Sequence, residues 1–551
     1  MDKKTILVGG AWPYANNSLH IGHLAALLPG DVLARFFRQD GNEVIYVSGS
    51  DCHGTPITIR ANKNNVTPLE IATHYHNEFV KNFKDLNFSY DKYGCTMDQD
   101  HKQVVSDFLK QIDLNDYLYT AYEDNYYCPT CQKIVVDREI VGECPTCHKE
   151  ANGEQCDSCL SVFKVGELLN AKCKYCQSNV QVKSGKHLYF KLSKLTDLIT
   201  QFIEKQSKQF NWRNTAISES LKYVKEGLKD RVVTRDLTWG IDVPFEGFED
   251  KKIYVWFEAV LGYFSQAIAV AKQKGQDFLT LCKQDNFLSY YVHGKDNIVF
   301  HTIILPALLE AIDKNLNKPN AIISCEYVNL NDEKMSKSKG NLITVNNLLA
   351  NFDVDSIRYF FIKNNPEKKD SSFSYLDFVE CNNKILLGGY GNFANRNLSF
   401  LKKKFDGQIP ELNLEDQILT DVKKWYEEIK ESMYKGELKN CAELFYSYVQ
   451  YSNAYFDKNK PWTLYENDKK EFDRVTSNCL FLIANLANIS SSIMPNKSKI
   501  LSDILGFSLD KFEVVYYTNK KIENDIIPMF SRCEIDKIDK QIYMADTFGQ
   551  N

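Results

Sequence analysis

The segment TILVGGAWPYANNSLHIGHLAALLPGDVLARFFRQDGNEVIYVSGSD, Thr5 to Asp51, decides the fold expected for the N-terminal half of the chain. Its first six residues form a short apolar run that ends in two glycines, which is typical of a buried strand. DVLARFFRQDG predicts a helix, with Asp31 as a possible cap and Gly41 as a stop. EVIYVSGSD predicts a second strand. This strand–helix–strand order indicates a parallel α/β sheet of the nucleotide-binding type.

The composition is that of an ordinary globular protein. The 551 residues have 44% hydrophobic and 25% charged side chains and a net charge of −5. At ~150 residues per domain, this length predicts about three or four domains. The first apolar run is too short for a signal peptide, and no stretch has the ~20 apolar residues of a membrane span. We therefore expect a cytoplasmic protein without a membrane segment. The net charge neither indicates nor excludes a nucleic-acid partner.

The sixteen cysteines are unevenly distributed, and half of them form four Cys-x-x-Cys pairs. These pairs are Cys128/Cys131, Cys144/Cys147, Cys156/Cys159 and Cys173/Cys176. Two such turns supply the four thiolates of a tetrahedral metal site, so eight cysteines fit two structural zinc ions. Disulfides are the weaker alternative without a secretory signal, and a redox motif explains one pair but not four.

Two histidines flank a glycine in the sequence His20-Ile21-Gly22-His23. A glycine turn after the first parallel strand, at the start of a helix, is a phosphate site, because free backbone N–H groups and the helix dipole favour anions. Gly22 lets a nucleotide approach the backbone, and two imidazoles three residues apart can donate hydrogen bonds to a phosphate. The alternative is a pair of ordinary histidines on a helix surface.

A second motif, NDEKMSKSKGN, contains lysines separated by small serines and ends in glycine and asparagine. Such a loop can close over a triphosphate, with Lys334 and Lys337 as point charges. Taken alone, a lysine-rich loop is more often a solvated surface.

The two motifs together resemble the paired signatures of class I aminoacyl-tRNA synthetases. AWPYANNSLHIGH, GSDCHGTPI, TRDLTWG, YVWFEAVLGY, HGKDNIVFHT and KMSKSKGN occur in the order found in the methionyl-tRNA synthetase family, and the resemblance covers nearly the whole chain. It implies a Rossmann-type catalytic domain with an inserted zinc-knuckle domain and a C-terminal helical bundle. It also implies that methionine and ATP form methionyl-adenylate and pyrophosphate, and that the methionyl group then passes to the 3′ end of tRNA(Met).

The resemblance assigns roles to individual residues. Phosphate handling falls to His20, His23, Lys334 and Lys337, and ATP contacts to Gly22, Gly294, Asp296 and Lys337. The methionine slot maps onto Tyr14, Asp51, Trp256, Ala259, Tyr263 and His301. An apolar, aromatic slot suits a thioether, and Asp51 would hold the substrate ammonium. Asn392, Arg396 and Trp462 match positions that read the CAU anticodon. Magnesium is expected with ATP.

Each of these roles has a plainer alternative. Trp256 and Tyr263 could be core residues, and the anticodon residues could be ordinary helix or core residues. The sequence also departs from common family patterns at Trp12, Val260 and Leu305, which bears on how the pocket closes.

The resemblance further implies nested metal ligands, with the two inner Cys-x-x-Cys pairs sharing one zinc and the two outer pairs the other. The inner pairs are separated only by HKEANGEQ, a small loop to close.

The rest of the chain predicts further regions. From about Tyr117 to Gly185 the apolar periodicity fades. After this region, the segments KIYVWFEAVLGYF and LSYYVHGKDNIVFHTIILPALL are typical of β-strands. From about Lys384 the chain predicts a helical bundle, with one stripe formed by Ile418, Val422, Trp425 and Ile429. The expected domains are 1–116 and 235–325 for the catalytic fold, 117–234 for the zinc insertion, 326–383 for the lysine-loop and stem-contact region, and 384–551 for anticodon binding.

Two other functions share some of these features. A small-molecule nucleotidyltransferase has the two-histidine motif, but the helical C-terminal region argues against it. A catalytically inactive tRNA-binding protein is disfavoured by the lysine loop and Asp51. No additional tRNA-binding or dimerisation region is recognised after the helical region, so we expect a monomer.

Overall fold

The structure is a computed structural model. It describes residues 3–135, 139–152, 156, 158–159, 161, 163–330, 342–523, 525–540 and 548. The predicted loop lysines, Lys334 and Lys337, lie outside these residues.

The strands and helices alternate along the first part of the chain, and helices follow one another in the last part. The strands are β1 Thr5–Gly10, β2 Glu43–Ser50, β3 Lys92–Cys95, β4 Leu118–Cys128, β5 Lys133–Val135, β6 Ile140–Glu143, β7 Glu150–Asn152, β8 Leu169–Cys173, β9 Gln181–Phe190, β10 Arg231–Val232, β11 Thr234–Arg235, β12 Lys252–Ile253, β13 Phe287–Gly294, β14 Ala321–Cys325, β15 Val328–Leu330 and β16 Ser371–Phe373. The α-helices are α1 Ile21–Gln39, α2 Thr55–Asn64, α3 Pro68–Asp85, α4 Gln99–Leu114, α5 Thr196–Gln209, α6 Asn214–Lys225, α7 Val255–Gln273, α8 Phe278–Leu281, α9 Leu305–Ile312, α10 Val345–Asn351, α11 Val354–Lys363, α12 Tyr375–Glu380, α13 Asn392–Lys404, α14 Asp416–Tyr434, α15 Leu438–Asn459, α16 Pro461–Leu464, α17 Lys469–Ser490 and α18 Pro495–Leu505. Short 3-10 helices span Leu192–Leu195, Lys295–Asn297 and Ile535–Lys537, and π-helices span Phe300–Ile304 and Cys381–Gly391.

The chain divides into two compact units. The first unit comprises Met1–Lys102, Asp197–Glu226 and Ala259–Asn551, and the second comprises Gln103–Thr196 and Gly227–Glu258.

The first unit contains a five-stranded sheet in the order β14-β13-β1-β2-β3, and all its neighbouring strands are parallel. Every residue of β1 is buried, as the unbroken apolar run predicts for a strand covered on both faces. The strands predicted at TILVGG and EVIYVSGSD are confirmed as Thr5–Gly10 and Glu43–Ser50, and so is the parallel α/β class.

Helix α1 begins eleven residues earlier than a cap at Asp31 would place it. Its N-cap is His20, and Asp31 lies inside the helix with a fully buried side chain. Asp31 binds the buried guanidinium of Arg358 at 2.6 Å, so the carboxylate forms an internal ion pair and the cap prediction was wrong. Gly41 follows the helix with φ +84°, a left-handed conformation that suits glycine at a helix end.

The last part of the first unit is helical, as predicted. Ile418, Val422, Trp425 and Ile429 are all buried along one stripe of α14. Helix α17 lies at the centre of this region, where a continuous run from Val475 to Ser490 is buried.

Of the two segments predicted to be sheet-like, the first prediction was wrong and the second was right only in part. Most of KIYVWFEAVLGYF belongs to α7, and only Lys252 and Ile253 are in a strand. Of the second segment, the part up to Gly294 is β13, and the remainder forms 3-10, π- and α-helical turns.

The second unit is built from small antiparallel sheets. One has the strand order β10-β9-β4-β5, and another has the order β7-β6-β8. Its small apolar core includes Tyr126, Val135, Ile140 and Phe163 and surrounds several of the paired cysteines.

In the described part of the chain, no helix has the length and apolar character needed to span a membrane.

Candidate functional site

Several of the residues predicted to bind methionine and ATP, among them Asp51 and Gly294, lie where the central strands of the parallel sheet end. Strand β1 lies between β2 and β13, and these strands end at Gly10, Ser50 and Gly294. In a parallel sheet the carboxyl ends share one edge, and ligands bind in the crevice where the connections leave in opposite directions.

The two histidines of the first motif cap α1. The Nδ1 atom of His20 accepts a hydrogen bond from the Gly22 N–H at 3.1 Å, and the Nδ1 atom of His23 accepts from the His20 N–H at 3.2 Å. Their ring centroids are 3.9 Å apart. An imidazole that accepts at Nδ1 carries its hydrogen on Nε2. The two rings therefore form a reciprocal cap and hold two N–H donors beside the positive end of a helix dipole.

The segment that follows the lysine motif is hydrogen-bonded to the segment that contains the two-histidine motif. The Ile21 N–H donates to the carbonyl of Ile343 at 3.1 Å, and the Val345 N–H donates to the carbonyl of Leu19 at 2.8 Å. Before the lysine motif, β15 ends at Leu330. Lys334 and Lys337 fall in the sequence between Leu330 and Ile343 and lie outside the described residues.

Tyr14 and Asp51 lie side by side. The Asp51 N–H donates to the carbonyl of Pro13 at 2.9 Å, and the Ala15 N–H donates to the carbonyl of Asp51 at 2.8 Å. The Asp51 carboxylate accepts from the His53 N–H at 3.3 Å and is only 3% exposed. These bonds fix a buried carboxylate immediately after β2.

Tyr263 and His301 form a buried hydrogen-bonded pair, 2.8 Å apart between the hydroxyl and Nε2. His301 Nδ1 donates to the carbonyl of Asn297 at 2.8 Å, so Nε2 accepts from the tyrosine. Burial lowers the pKa of His301 to about 4, which keeps the ring neutral at pH 7. A Cβ on Gly9 would lie 2.9 Å from the Tyr263 ring, so this glycine makes room for the tyrosine beside β1.

Ala259 is one helical turn before Tyr263 on α7 and is half-buried. Trp256 belongs to the second unit, where the residue is 46% exposed and its ring centroid lies 5.2 Å from that of Tyr254. It is therefore not a core residue, and its predicted contact with methionine stays a prediction.

The residues that depart from the family pattern are packed into the first unit. Trp12 lies between two glycines, because a Cβ on Gly49 or Gly262 would lie 2.7 Å or less from its indole ring. Val260 and Leu305 are buried.

Gly294 and Asp296 lie at the end of β13. Among the described residues other than Gly294 and its two chain neighbours, no atom lies within 4 Å of the position of a Cβ on Gly294, so the space beside this end of the strand is open. The carboxylate of Asp296 accepts a hydrogen bond from the hydroxyl of Tyr327. The sequence reasoning missed Tyr327, because it is 31 positions away and belongs to no motif.

The eight paired cysteines form two groups in the second unit. Cys128, Cys131, Cys173 and Cys176 form one group, and Cys144, Cys147, Cys156 and Cys159 form the other. Within each group the sulfur atoms lie within 4.8 Å of one another. This is the nested arrangement that the family resemblance implies, and each group can hold one metal ion.

The predicted anticodon residues lie near one another on the helical region. Asn392 is exposed at the first position of α13. The Arg396 guanidinium is 4.3 Å from the centre of the Phe456 ring and 5.6 Å from that of Trp462, and it contacts Asp457 at 3.3 Å. Trp462 is 39% exposed, so it is not a core residue.

Comparisons with known proteins agree over almost the whole chain. Residues 6–398 match the family model described as tRNA synthetases class I (M), and residues 408–520 match the anticodon binding domain of methionyl tRNA ligase. Methionine–tRNA ligase 1 of Alkaliphilus oremlandii is 43% identical over 91% of this chain and 92% of its own length. Methionine–tRNA ligase of Streptococcus pneumoniae is 41% identical over 98% of each chain. The structure of Mycobacterium tuberculosis methionyl-tRNA synthetase with methionyl-adenylate has a TM-score of 0.77 at 23% identity. It covers 96% of this chain and 100% of its own, which shows a shared fold.

Proposed function

Because the chain belongs to the methionyl-tRNA synthetase family of class I, we propose that it is an ATP-dependent methionine–tRNA ligase. In the first step the methionine carboxylate attacks the α-phosphorus of ATP. A carboxylate–phosphorus bond forms, the bond to the β-phosphate oxygen breaks, and pyrophosphate leaves. In the second step a 3′-terminal ribose hydroxyl of tRNA(Met) attacks the methionyl carbonyl, and AMP leaves. The charged tRNA serves initiation and elongation of translation.

The observation that carries the proposal is the capped histidine pair beside β1. His20 and His23 direct Nε2–H groups from the start of α1, where negative charge grows on the phosphates. Gly22 allows the close approach of a nucleotide. The charge stabilisation and the positioning supply the catalysis.

Methionine occupies the space around the buried pair of Tyr263 and His301. Neutral aromatic groups suit a thioether, because sulfur packs well against ring edges. Tyr14 and Ala259 complete the slot within the first unit, and the family resemblance also assigns a methionine-binding role to Trp256. Asp51 binds the substrate ammonium, since a charge removed from water needs a charged partner.

ATP binds, together with magnesium, at the carboxyl ends of the parallel strands. Gly294 and Asp296 receive the adenosine, and Lys334 and Lys337 neutralise the phosphates. Bound magnesium would offset part of the phosphate charge, and the ATP phosphates and water would hold it in the manner usual for this ion.

The two cysteine groups hold one structural zinc each. Zinc–sulfur bonds of about 2.3 Å in a tetrahedron place the sulfurs about 3.8 Å apart. Four of the sulfur pairs within the groups are 3.3, 3.9, 3.7 and 3.6 Å apart, close to the separation that a bound zinc ion requires. A closed four-thiolate site has no open position, so its role is structural.

The tRNA anticodon CAU is read at Asn392, Arg396 and Trp462 by hydrogen bonds to base edges and by stacking.

We place the enzyme in the cytoplasm as a monomer. We retain the division into a catalytic fold (1–116 and 235–325), a zinc insertion (117–234), a stem-contact region (326–383) and an anticodon-binding region (384–551).

Methionine-dependent exchange of pyrophosphate into ATP tests the proposal. We expect exchange with methionine, and Lys337→Ala should slow it roughly tenfold or more while methionine binding stays near normal, since the lysine meets charge that develops in the transition state. Exchange without methionine would instead indicate a nucleotidyltransferase, and no exchange would indicate an inactive tRNA-binding protein.

A further inference from the structure

A network of charged groups surrounds Tyr327 at the open end of the parallel sheet. The Tyr327 hydroxyl donates to Asp296, and its backbone N–H donates to the carboxylate of Asp370 at 3.0 Å. The Lys295 ammonium lies 3.9 Å from the centre of the Tyr327 ring. The same ammonium contacts Glu326 and Asp370, each at 2.9 Å.

These contacts hold the tyrosine from three sides. The ring is placed by its backbone bond, by the lysine over its face and by the carboxylate at its hydroxyl. The hydrogen bond to Asp296 raises the pKa of Tyr327 to about 12, so the hydroxyl remains a donor at neutral pH. The Asp296 side chain, which is exposed, thereby gains a fixed orientation.

A carboxylate has about four acceptor sites, and one tyrosine hydroxyl occupies only one of them. Asp296 can therefore accept from Tyr327 and from ribose hydroxyls at the same time. The space beside Gly294 is open in the same place, within the described residues. A ligand with vicinal hydroxyls fits this arrangement.

We propose that Tyr327 is a positioning residue that orients Asp296 toward the ribose hydroxyls of ATP. This inference rests on the proposed function and adds a residue to its nucleotide site. Tyr327 does not touch the reacting atoms. It reduces the freedom of Asp296 before ATP arrives, so that less ordering is needed on binding.

Calorimetric titration of the whole protein with ATP, 2′-deoxyATP and 3′-deoxyATP tests the inference. We expect Tyr327→Phe to weaken ATP binding roughly fivefold or more, because a hydrogen bond to a charged group is lost. We expect binding of at least one deoxy analogue to change less, so that the preference for ATP over that analogue shrinks. Asp296→Asn should reduce the same preference, and the double variant should add little to either single variant.

The second unit provides a matched control. The Tyr175 hydroxyl donates to Glu139 at 3.0 Å, with Lys133 4.3 Å from the centre of its ring. Tyr175→Phe removes the same kind of bond and should leave ATP binding unchanged. Thermal melting of each variant checks the fold.

The outcomes separate this inference from the proposed function. Unchanged ATP affinity in Tyr327→Phe, or weaker affinity with the ribose preference intact, overturns the inference alone. Wild-type protein that binds ATP but shows no methionine-dependent exchange overturns the proposed function, while the calorimetry still tests Tyr327. Wild-type protein that binds no ATP overturns both.

Discussion

His20 has two tasks at the start of α1, and its geometry serves both. Its Nδ1 atom caps the Gly22 N–H, and His23 returns the same contact to the N–H of His20. A serine or asparagine cap would satisfy the helix equally well. Histidine adds a second nitrogen, and the capping bond determines that this nitrogen carries the hydrogen. The proposed phosphate donor therefore depends on the structural bond.

The single residue Asp355 makes the free energy of unfolding depend on pH. Its carboxylate is fully buried and accepts from the Lys497 N–H at 2.7 Å and from Asn496 at 3.1 Å. Burial raises its pKa from 3.8 to about 6. A raised pKa in the folded state stabilises the fold below about pH 4, and this contribution is lost as the pH rises through about 6.

We expect Asp355→Asn to remove this pH dependence, because the amide resembles the protonated acid. Relative to wild type, the variant should gain about 2–3 kcal/mol between pH 4 and pH 7, from 1.36 kcal/mol per pKa unit. Melting temperatures at the two pH values measure this gain. A constant difference between Asp355→Asn and wild type across this range would contradict the assignment.

At the scale of elements, the sequence misled most clearly at helix α7. KIYVWFEAVLGYF is rich in aromatic and β-branched residues, which favour strands. In α7 most of these residues are buried, so the apolar positions do not show the one-sided period of a surface helix. By contrast, β1 and α14 were predictable, because a short buried run and a single stripe have clear patterns.

The zinc content of the two cysteine groups in the second unit can be measured directly. We expect elemental analysis to find about two zinc ions per chain, from four ligands each. Cys144→Ser and Cys128→Ser should each lose about one zinc, because each removes a ligand from a different group. Cys282→Ser, which alters a buried cysteine outside the groups, should retain both. Loss of both ions from either single variant would contradict two independent sites.

Substitutions on helix α13 and at Trp462 test whether this region recognises the anticodon. Arg396→Ala and Trp462→Ala should each lower tRNA charging by tenfold or more, while pyrophosphate exchange stays near normal. One edge or stacking contact is worth roughly 1–3 kcal/mol. Assays of both steps on the same variants give the answer.

Trp425 is the matched control, because it is 6% exposed and its ring stacks on Tyr448 at 4.2 Å. Trp425→Ala should cost roughly 3–5 kcal/mol of stability, whereas Trp462→Ala should melt near the wild-type temperature. If the loss of charging in Trp462→Ala follows its unfolding, the residue is structural.

At the scale of the whole molecule, the motifs predicted the order of regions but not the contacts that join distant parts of the chain. Arg358 binds Asp31, 327 positions away, and donates to the carbonyls of Ser492 and Ile493. A buried guanidinium needs such partners, yet nothing in its local sequence names them. The same limit hid Tyr327, whereas the two-histidine motif was recognisable because its residues are adjacent in the chain.

The most direct test of the whole account is ATP-dependent attachment of methionine to a tRNA with the anticodon CAU. We expect the purified protein to charge this tRNA with methionine, and we expect an altered anticodon in the same tRNA to lower kcat/KM by tenfold or more. Activation of methionine without transfer to this tRNA, charging that ignores the anticodon, or charging with a different amino acid would contradict the account.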